Sequence, residues 1–376
     1  MDKGTLRPAI VIVGPVHPHG GGIAQHVARL AAELQNSAFA TVTIESWKAQ
    51  YPRFLHRAQV TVKHDQPEVE FSVPVSRILR WYSPFSWIRV AYKNRGTSAV
   101  LFNVVTPFHA IPIAVMRMFL FRSTRLVALV HNAQPHERSL FDRLLLRVLM
   151  SSVTAAIVHD QVSEEILLEL SGSKKMVARV PLPSPWGTEP ASRSRDESGT
   201  SDLFKLRVLF FGHVRAYKGV PLLLEAMSNC REAHLTIAGT FWGNESETRN
   251  LIRELGLEQR VEIRGGYVQK ADIPELFGRA DVVAMPYLSG TASVIPELSF
   301  SHGVPVIATN VGGIAQLIED GRNGLIVESN SVESISRALT LLSRNSLVRA
   351  NLRQGAQETN WAHGWDYYCR AVINLQ

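Results

Sequence analysis

Residues 208–227 read VLFFGHVRAYKGVPLLLEAM. The apolar run over Arg207–Phe211 has the length of one strand, Gly212 turns the chain, and after Gly219 the apolar positions take helical spacing over Val220–Met227. A continuous apolar strand, a glycine turn and an amphipathic helix form the repeating unit of a parallel sheet covered on both faces. The alternation extends outward in both directions. Toward the C-terminus, strands are expected at Leu235–Ala238, Val261–Arg264, Val282–Met285, Val304–Ala308 and Leu325–Val327, with a helix at Val332–Leu342. Toward the N-terminus they are expected at Ala9–Gly14, Ala40–Ile44, Ala99–Val105, Leu126–His131 and Ala155–His159, with a helix at Ile23–Leu34. The fold class is α/β: two Rossmann-like, doubly wound domains facing across a cleft where strand C-termini and helix N-termini converge.

Residues 183–202, PSPWGTEPASRSRDESGTSD, interrupt the pattern with proline, serine, glycine and charge. They mark an exposed connector. The expected division is a first domain over 1–183, a linker over 184–202 and a second domain over 203–357. A length of 376 residues, 45% of them apolar, suits two well-filled cores. Cys230 and Cys369 are too few for a disulfide framework, so a reducing cytoplasm is the simplest setting. The start is polar and runs directly into a strand, unlike a secretory signal. The most apolar region, 99–121, is broken by Asn103, Pro107, His109, Pro112 and Arg117 and reads as a strand and a buried helix, not a membrane span. A formal charge of +7 favours anionic partners. No nucleic-acid-binding motif accompanies it.

Three loops carry candidate chemistry. Gly20, Gly21 and Gly22 stand between the first strand and an amphipathic helix, where bare backbone and a helix N-terminus suit a phosphate; tight packing is the other explanation. Arg215 and Lys218, following Gly212, place two cations beside a strand end and suit a departing diphosphate, although an isolated Arg-x-x-Lys is more often solvated. After the strand ending near Pro286 come Ser289, Gly290, Thr291 and Ser293, then Glu297 about one turn into a helix. The loop offers hydroxyls and amides to phosphate, and Glu297 can accept hydrogen bonds from vicinal hydroxyls such as those of a ribose. A helix-surface carboxylate is its bland alternative. Gly312 and Gly313 are expected to open the next helix.

The succession GGGI, GHVRAYKGV, PYLSGTASVIPE, GVPVIATNVGGI and DGRNGLIV resembles the retaining glycosyltransferases of family four, which have the GT-B fold. The likeness runs through nearly the whole chain and is strongest over Leu206–Val327. It implies an acceptor-side first domain, a nucleotide-sugar donor domain second, and a C-terminal helix at about 358–376 packing back on the first, with Trp361, Trp365, Tyr367 and Tyr368 holding it. By the same resemblance Gly22 meets the donor diphosphate through its backbone and His131 stands near the donor sugar. Arg215 and Lys218 match the basic pair that stabilises the leaving nucleotide diphosphate, and Glu297 matches the second Glu of a Glu-x7-Glu motif, on the ribose. Gly266, Tyr267 and Val268, in the turn over Gly265–Val268, would hold the base through their backbone. Two positions depart from the pattern. Ser289 replaces the first Glu of the motif, and His213 stands where an arginine usually follows the strand-end glycine.

In this family the acceptor hydroxyl attacks the anomeric carbon from the face the diphosphate leaves, so configuration is retained. The leaving phosphate oxygen can take the acceptor proton. No cofactor and no essential metal are implied, and neither an Asp-x-Asp nor a clustered ligand set occurs in the sequence. The acceptor is expected to be a glycan, a lipid-linked molecule or a small molecule. The segment 77–95, RILRWYSPFSWIRVAYKNR, mixes basic and aromatic residues. It reads either as an ordinary amphipathic segment or as a peripheral contact with anionic membrane at the inner face of the plasma membrane. Two alternatives to transfer remain: a GT-B phosphorylase or epimerase, and a non-catalytic nucleotide-sugar-binding partner, the latter motivated by Ser289.

Overall fold

The computed structural model describes residues 7–19, 22–49, 73–131, 133, 141–172, 175–183, 205–290, 293–359 and 364–375. The chain divides into two compact units, one formed by Met1–Pro185 with Ala362–Gln376 and the other by Trp186–Trp361. The expected linker over 184–202 lies outside the described residues, as do Gly20, Gly21, Thr291 and Trp361.

The first unit runs β1 (Ala9–Val13), α1 (Gly22–Asn36), β2 (Thr41–Ala49), β3 (Val75–Arg80), α2 (Pro84–Lys93), β4 (Ala99–Val104), α3 (Ala110–Phe119), β5 (Arg125–Val130), α4 (Asp142–Ser152), β6 (Ala155–Val158), α5 (Gln161–Ser171) and β7 (Met176–Arg179). The second runs β8 (Leu206–Phe211), α6 (Val220–Ser228), β9 (Ala233–Gly239), α7 (Glu245–Glu254), β10 (Val261–Gly265), α8 (Ile273–Arg279), β11 (Val282–Met285), α9 (Ile295–Ser301), β12 (Val306–Thr309), β13 (Gly324–Val327), α10 (Val332–Arg344) and α11 (Ser346–Glu358). The chain then returns to the first unit as α12 (Trp365–Asn374).

Among the described residues the first unit has a seven-stranded sheet in the order β3-β2-β1-β4-β5-β6-β7, and the second a six-stranded sheet in the order β10-β9-β8-β11-β12-β13. Every pairing is parallel. Each order reverses beside its first strand, the arrangement in which loops at the strand C-termini part and leave a crevice. β4 and β11 are buried at every position, as strands covered on both faces must be. Helix ends follow local chemistry. Asp160 accepts from the Ser163 amide at the start of α5, and Gly172, with φ 60°, ends it; Ser331 and Asn345 cap α10 and α11 in the same way.

Ten expected strands fall where their apolar runs predict within about two residues, and the second strand extends on to Ala49. Two strands were not expected. β3 and β7 are edge strands with mixed burial, so neither carries a continuous apolar run. The segment 77–95 is therefore not one amphipathic element: it is the end of β3, a turn, and α2, tied together where the Trp87 indole donates to the Arg80 carbonyl at 2.8 Å. Gly312 and Gly313 open no α-helix; only a 3-10 turn at Ala315–Leu317 follows them. The apolar segment 99–121 is β4 and α3 as expected, but α3 is buried on one side only, leaving Ile111, Met118 and Phe119 exposed.

Candidate functional site

In the second unit the candidate residues follow β8, β10 and β11. After β8 the chain passes Gly212 and Arg215, makes a 3-10 turn over Ala216–Lys218, and enters α6 through Gly219. Gly219 has φ +67°, and a Cβ there would lie 1.9 Å from the Pro286 carbonyl oxygen just beyond β11. Only glycine permits this approach. The Leu288 amide donates to the Tyr217 carbonyl at 2.7 Å, so the loops after β8 and β11 are joined.

Lys218 is half-buried in that joint, its ammonium 5.0 Å from the centre of the Tyr287 ring. Loss of water lowers its pKa; Tyr217 works against that shift and Arg215 adds to it. No carboxylate pairs with Lys218 among the described residues. The Arg215 guanidinium lies 3.6 Å from the centre of the Trp242 ring, in the loop after β9. His213 is not a third cation: burial first, then Lys218 and Arg215, bring its pKa down to about 4.

Beyond β11, Ser289 is exposed and Gly290 partly so, while the Ser293 hydroxyl accepts from the Ile295 amide at 3.3 Å. Glu297, third residue of α9, is 7% exposed and hence no surface carboxylate. The Thr309 hydroxyl donates to the Tyr287 carbonyl at 2.6 Å and steadies the loop from β12. After β10, Gly266 donates from its amide to the Gly239 carbonyl at 3.1 Å, and Tyr267 and Val268 follow, Val268 against the core. Thus Gly212, Arg215, Lys218, Ser289, Gly290, Ser293, Glu297 and the Gly266–Val268 turn share one edge of one sheet.

In the first unit Gly22 is the first residue of α1, and a Cβ there would meet nothing within 4 Å. Close packing falls instead on Gly14, where a Cβ would lie 2.8 Å from Val27 and 3.0 Å from the Asn103 side-chain nitrogen. His131, just past β5, holds a 2.9 Å hydrogen bond between Nε2 and the Asn103 Oδ1, and the Asn103 amide nitrogen donates to the Val13 carbonyl at 3.2 Å. That second bond sets the amide, so its oxygen faces His131 and the imidazole proton sits on Nε2. Ring centres of His26 and His159 stand 5.3 and 5.1 Å from that of His131. Burial, then His159, His26 and His109, hold the His131 pKa well below the ordinary range, so it is neutral near pH 7. Trp365 and Tyr368 of α12 pack against His26, whereas Tyr367 is exposed.

Sequence reasoning missed Asn103, His26, His159, Trp242 and Tyr287. Asn103, a lone polar residue inside an apolar strand, was the one readable signal; the others need the fold to bring them to their partners. Among the described residues no His, Cys, Asp and Glu group could hold a metal ion, and no helix is long and apolar enough to cross a membrane.

Residues 195–359 match the family described as glycosyl transferases group 1. That region resembles the family and takes in most of the second unit. It is 27% identical over 172 residues to a D-inositol 3-phosphate glycosyltransferase of Xylanimonas cellulosilytica, covering 45% of this chain and 41% of that protein. It is 28% identical over 205 residues to spore coat protein SA of Bacillus subtilis, covering 51% and 54%. The chain spans about half the length of the curated relatives it matches. In structure it is similar to Anabaena HepE in complex with UDP and glucose, with a TM-score of 0.77 at 17% identity over 98% of this chain and 99% of that one. Sucrose-phosphate synthase from Thermosynechococcus elongatus gives 0.77 at 16% identity, covering 98% of each chain. The fold is GT-B, built from two Rossmann-like units.

Proposed function

We propose that the chain is a retaining glycosyltransferase that moves a sugar from a nucleotide diphosphate to an acceptor hydroxyl. One observation carries the reading: Lys218 is withdrawn from water beside Arg215 with no carboxylate to pair it among the described residues. A desolvated cation of that kind gains most from an anion that arrives, and a diphosphate fits. In this reading Arg215 and Lys218 stabilise the charge that grows on the departing diphosphate, and a phosphate oxygen takes the acceptor proton. Glu297 receives the ribose hydroxyls, and the backbone of Gly266, Tyr267 and Val268 holds the base. Gly212, Ser289, Gly290 and Ser293 line the donor, and neutral His131 offers Nδ1 as an acceptor to a hydroxyl on the first unit.

With two cations in that role the reaction is proposed to need neither cofactor nor essential metal. UDP is the first nucleotide to test, because Anabaena HepE binds UDP and glucose. The acceptor side is proposed to receive a glycan, a small molecule or a lipid-linked molecule at an anionic membrane, on the cytoplasmic face.

A melting-temperature panel with UDP, GDP, ADP and TDP tests the donor site; one nucleotide should raise the transition and Lys218→Ala should abolish the rise. Stabilisation by none of the four would refute the reading. NMR of the anomeric proton in the product tests retention, and an inverted product excludes it. Donor consumption that requires inorganic phosphate, or none with any acceptor, would favour the phosphorylase, epimerase and non-catalytic alternatives.

A further inference from the structure

The outer surface of the first unit contradicts what its charge and polarity would need in water alone. Residues 73–159 contain eleven arginines and lysines against two acidic residues, an excess larger than the +7 of the whole chain. Within that stretch α3, AIPIAVMRMF, has one polar residue, and that one, Arg117, is turned onto the Thr124 and Phe121 carbonyls at 3.0 and 2.8 Å. A helix that is apolar all round belongs in a core or a lipid phase. Yet one side of α3 faces outward, with Ile111 and Met118 on it, Met118 at 72% exposed.

The neighbours complete the pattern. α2, α3 and α4 share one buried core against the same sheet face, and each returns from the strand C-terminal edge to the N-terminal edge. They therefore run side by side in one direction, and their first turns are adjacent. Those turns also expose apolar side chains: Phe85 of α2 at 83%, Phe108 before α3 and Leu144 of α4. Arg89 lies one turn beyond Phe85, and Arg147 one turn beyond Leu144; both are exposed and make no ion pair among the described residues. An apolar strip flanked on both sides by free guanidinium groups complements the acyl boundary and phosphate layer of an anionic bilayer. Nucleic acid would match the charge and leave the strip wet; a second copy would match the strip and set like charges together.

We infer that the outer face of α2, α3 and α4 docks on an anionic lipid surface, with Ile111 and Met118 of α3 entering the acyl boundary and Arg89 and Arg147 resting on lipid phosphates. This rests on the peripheral-membrane part of the reading above and names its surface. The full chain is sedimented with vesicles of phosphatidylcholine alone or mixed with phosphatidylglycerol. Binding should require phosphatidylglycerol and weaken with salt. The double variant Ile111→Ser/Met118→Ser and the double variant Arg89→Glu/Arg147→Glu should each lower vesicle partition by about tenfold or more, while the nucleotide-induced rise in melting temperature stays as in the parent. That second readout separates this proposal from the donor site, which can fail independently.

Should the serine variant not fold, Met118→Cys carrying an environment-sensitive dye supplies the answer, since both native cysteines are buried. Its emission should shift to the blue with anionic vesicles. Equal binding to neutral vesicles, no binding at all, an unshifted dye, or serine variants that bind like the parent would each overturn the proposal. So would a dimer in light scattering that the serine variant abolishes, or binding to duplex DNA in place of vesicles.

Discussion

The two units share a strand order and differ in how they carry charge. Over 205–359 there are sixteen basic and sixteen acidic residues, and many exposed ones are paired, as in Arg249–Glu245 and Arg337–Glu333. Lys218 is drawn out of that balance, beside Arg215, in one loop at the strand ends. In the first unit neutral histidines gather instead, His131 and His159 at strand ends and His26 of α1, while α2, α3 and α4 keep an unbalanced basic excess. The difference teaches that one sheet topology can present a fixed-charge site or a neutral polar one, according to what its loops desolvate. In the proposed reading, fixed charge answers to a diphosphate and neutral, oriented imidazoles answer to hydroxyls.

Substitutions can break that contrast or sharpen it. Lys218→Ala should have the largest effect, lowering kcat for transfer by about a hundredfold or more with no loss of melting temperature, because a poorly solvated cation is removed. Near-normal turnover would mean the second unit does not act through fixed charge. Gly219→Ala should cost more than about 2 kcal/mol in urea unfolding, since it strains a left-handed residue and strikes the Pro286 carbonyl. Gly22→Ala, facing open space, should stay within about 0.5 kcal/mol and weaken nucleotide binding alone. Equal costs would erase the distinction between a glycine kept for packing and one kept for approach.

The histidines titrate with a definite sign. Burial holds His109 and His159 at about 4, below an unfolded value of about 6.5, so the folded chain binds fewer protons than the unfolded one in that interval. Their contribution is complete above about pH 6.5 and is lost as pH falls toward about 4. Melting temperature should therefore decline from pH 7 to pH 5, and replacing His159 by Phe should flatten the decline; an unchanged profile would place the acid sensitivity elsewhere. Asn103→Ala, which frees His131 to rotate, should lower kcat by about tenfold and alter its pH dependence, with Asn103→Asp restoring orientation and introducing charge. A loss as large as that of Lys218→Ala would make the neutral site equal to the charged one. Arg337→Ala, removing an exposed pair in the second unit, should change stability by less than about 0.5 kcal/mol.

Much of this is legible in the sequence. The runs at Val282–Met285 and Ala99–Val104 are apolar at nearly every position because both faces of a central parallel strand are covered, and such runs announce themselves. Edge strands β3 and β7 did not, since one side meets water and the apolar period dissolves. Lys218 and Glu297 were picked out by spacing within continuous motifs. Trp242, Tyr287 and Asn103 were not, because their significance lies in partners 27, 69 and 28 residues away: Arg215, Lys218 and His131.

The linear chain alone determined that this protein builds two parallel sheets and where each would set its glycine turns and cations, because apolar period, turn residues and charge spacing are local properties. Only the tertiary structure decided which of those groups lose water. It made Lys218 a poorly solvated cation, His213 a neutral ring and Glu297 an interior carboxylate, and it left α3 apolar on an open face. Desolvation depends on everything packed around a group, and most of that arrives from distant parts of the chain.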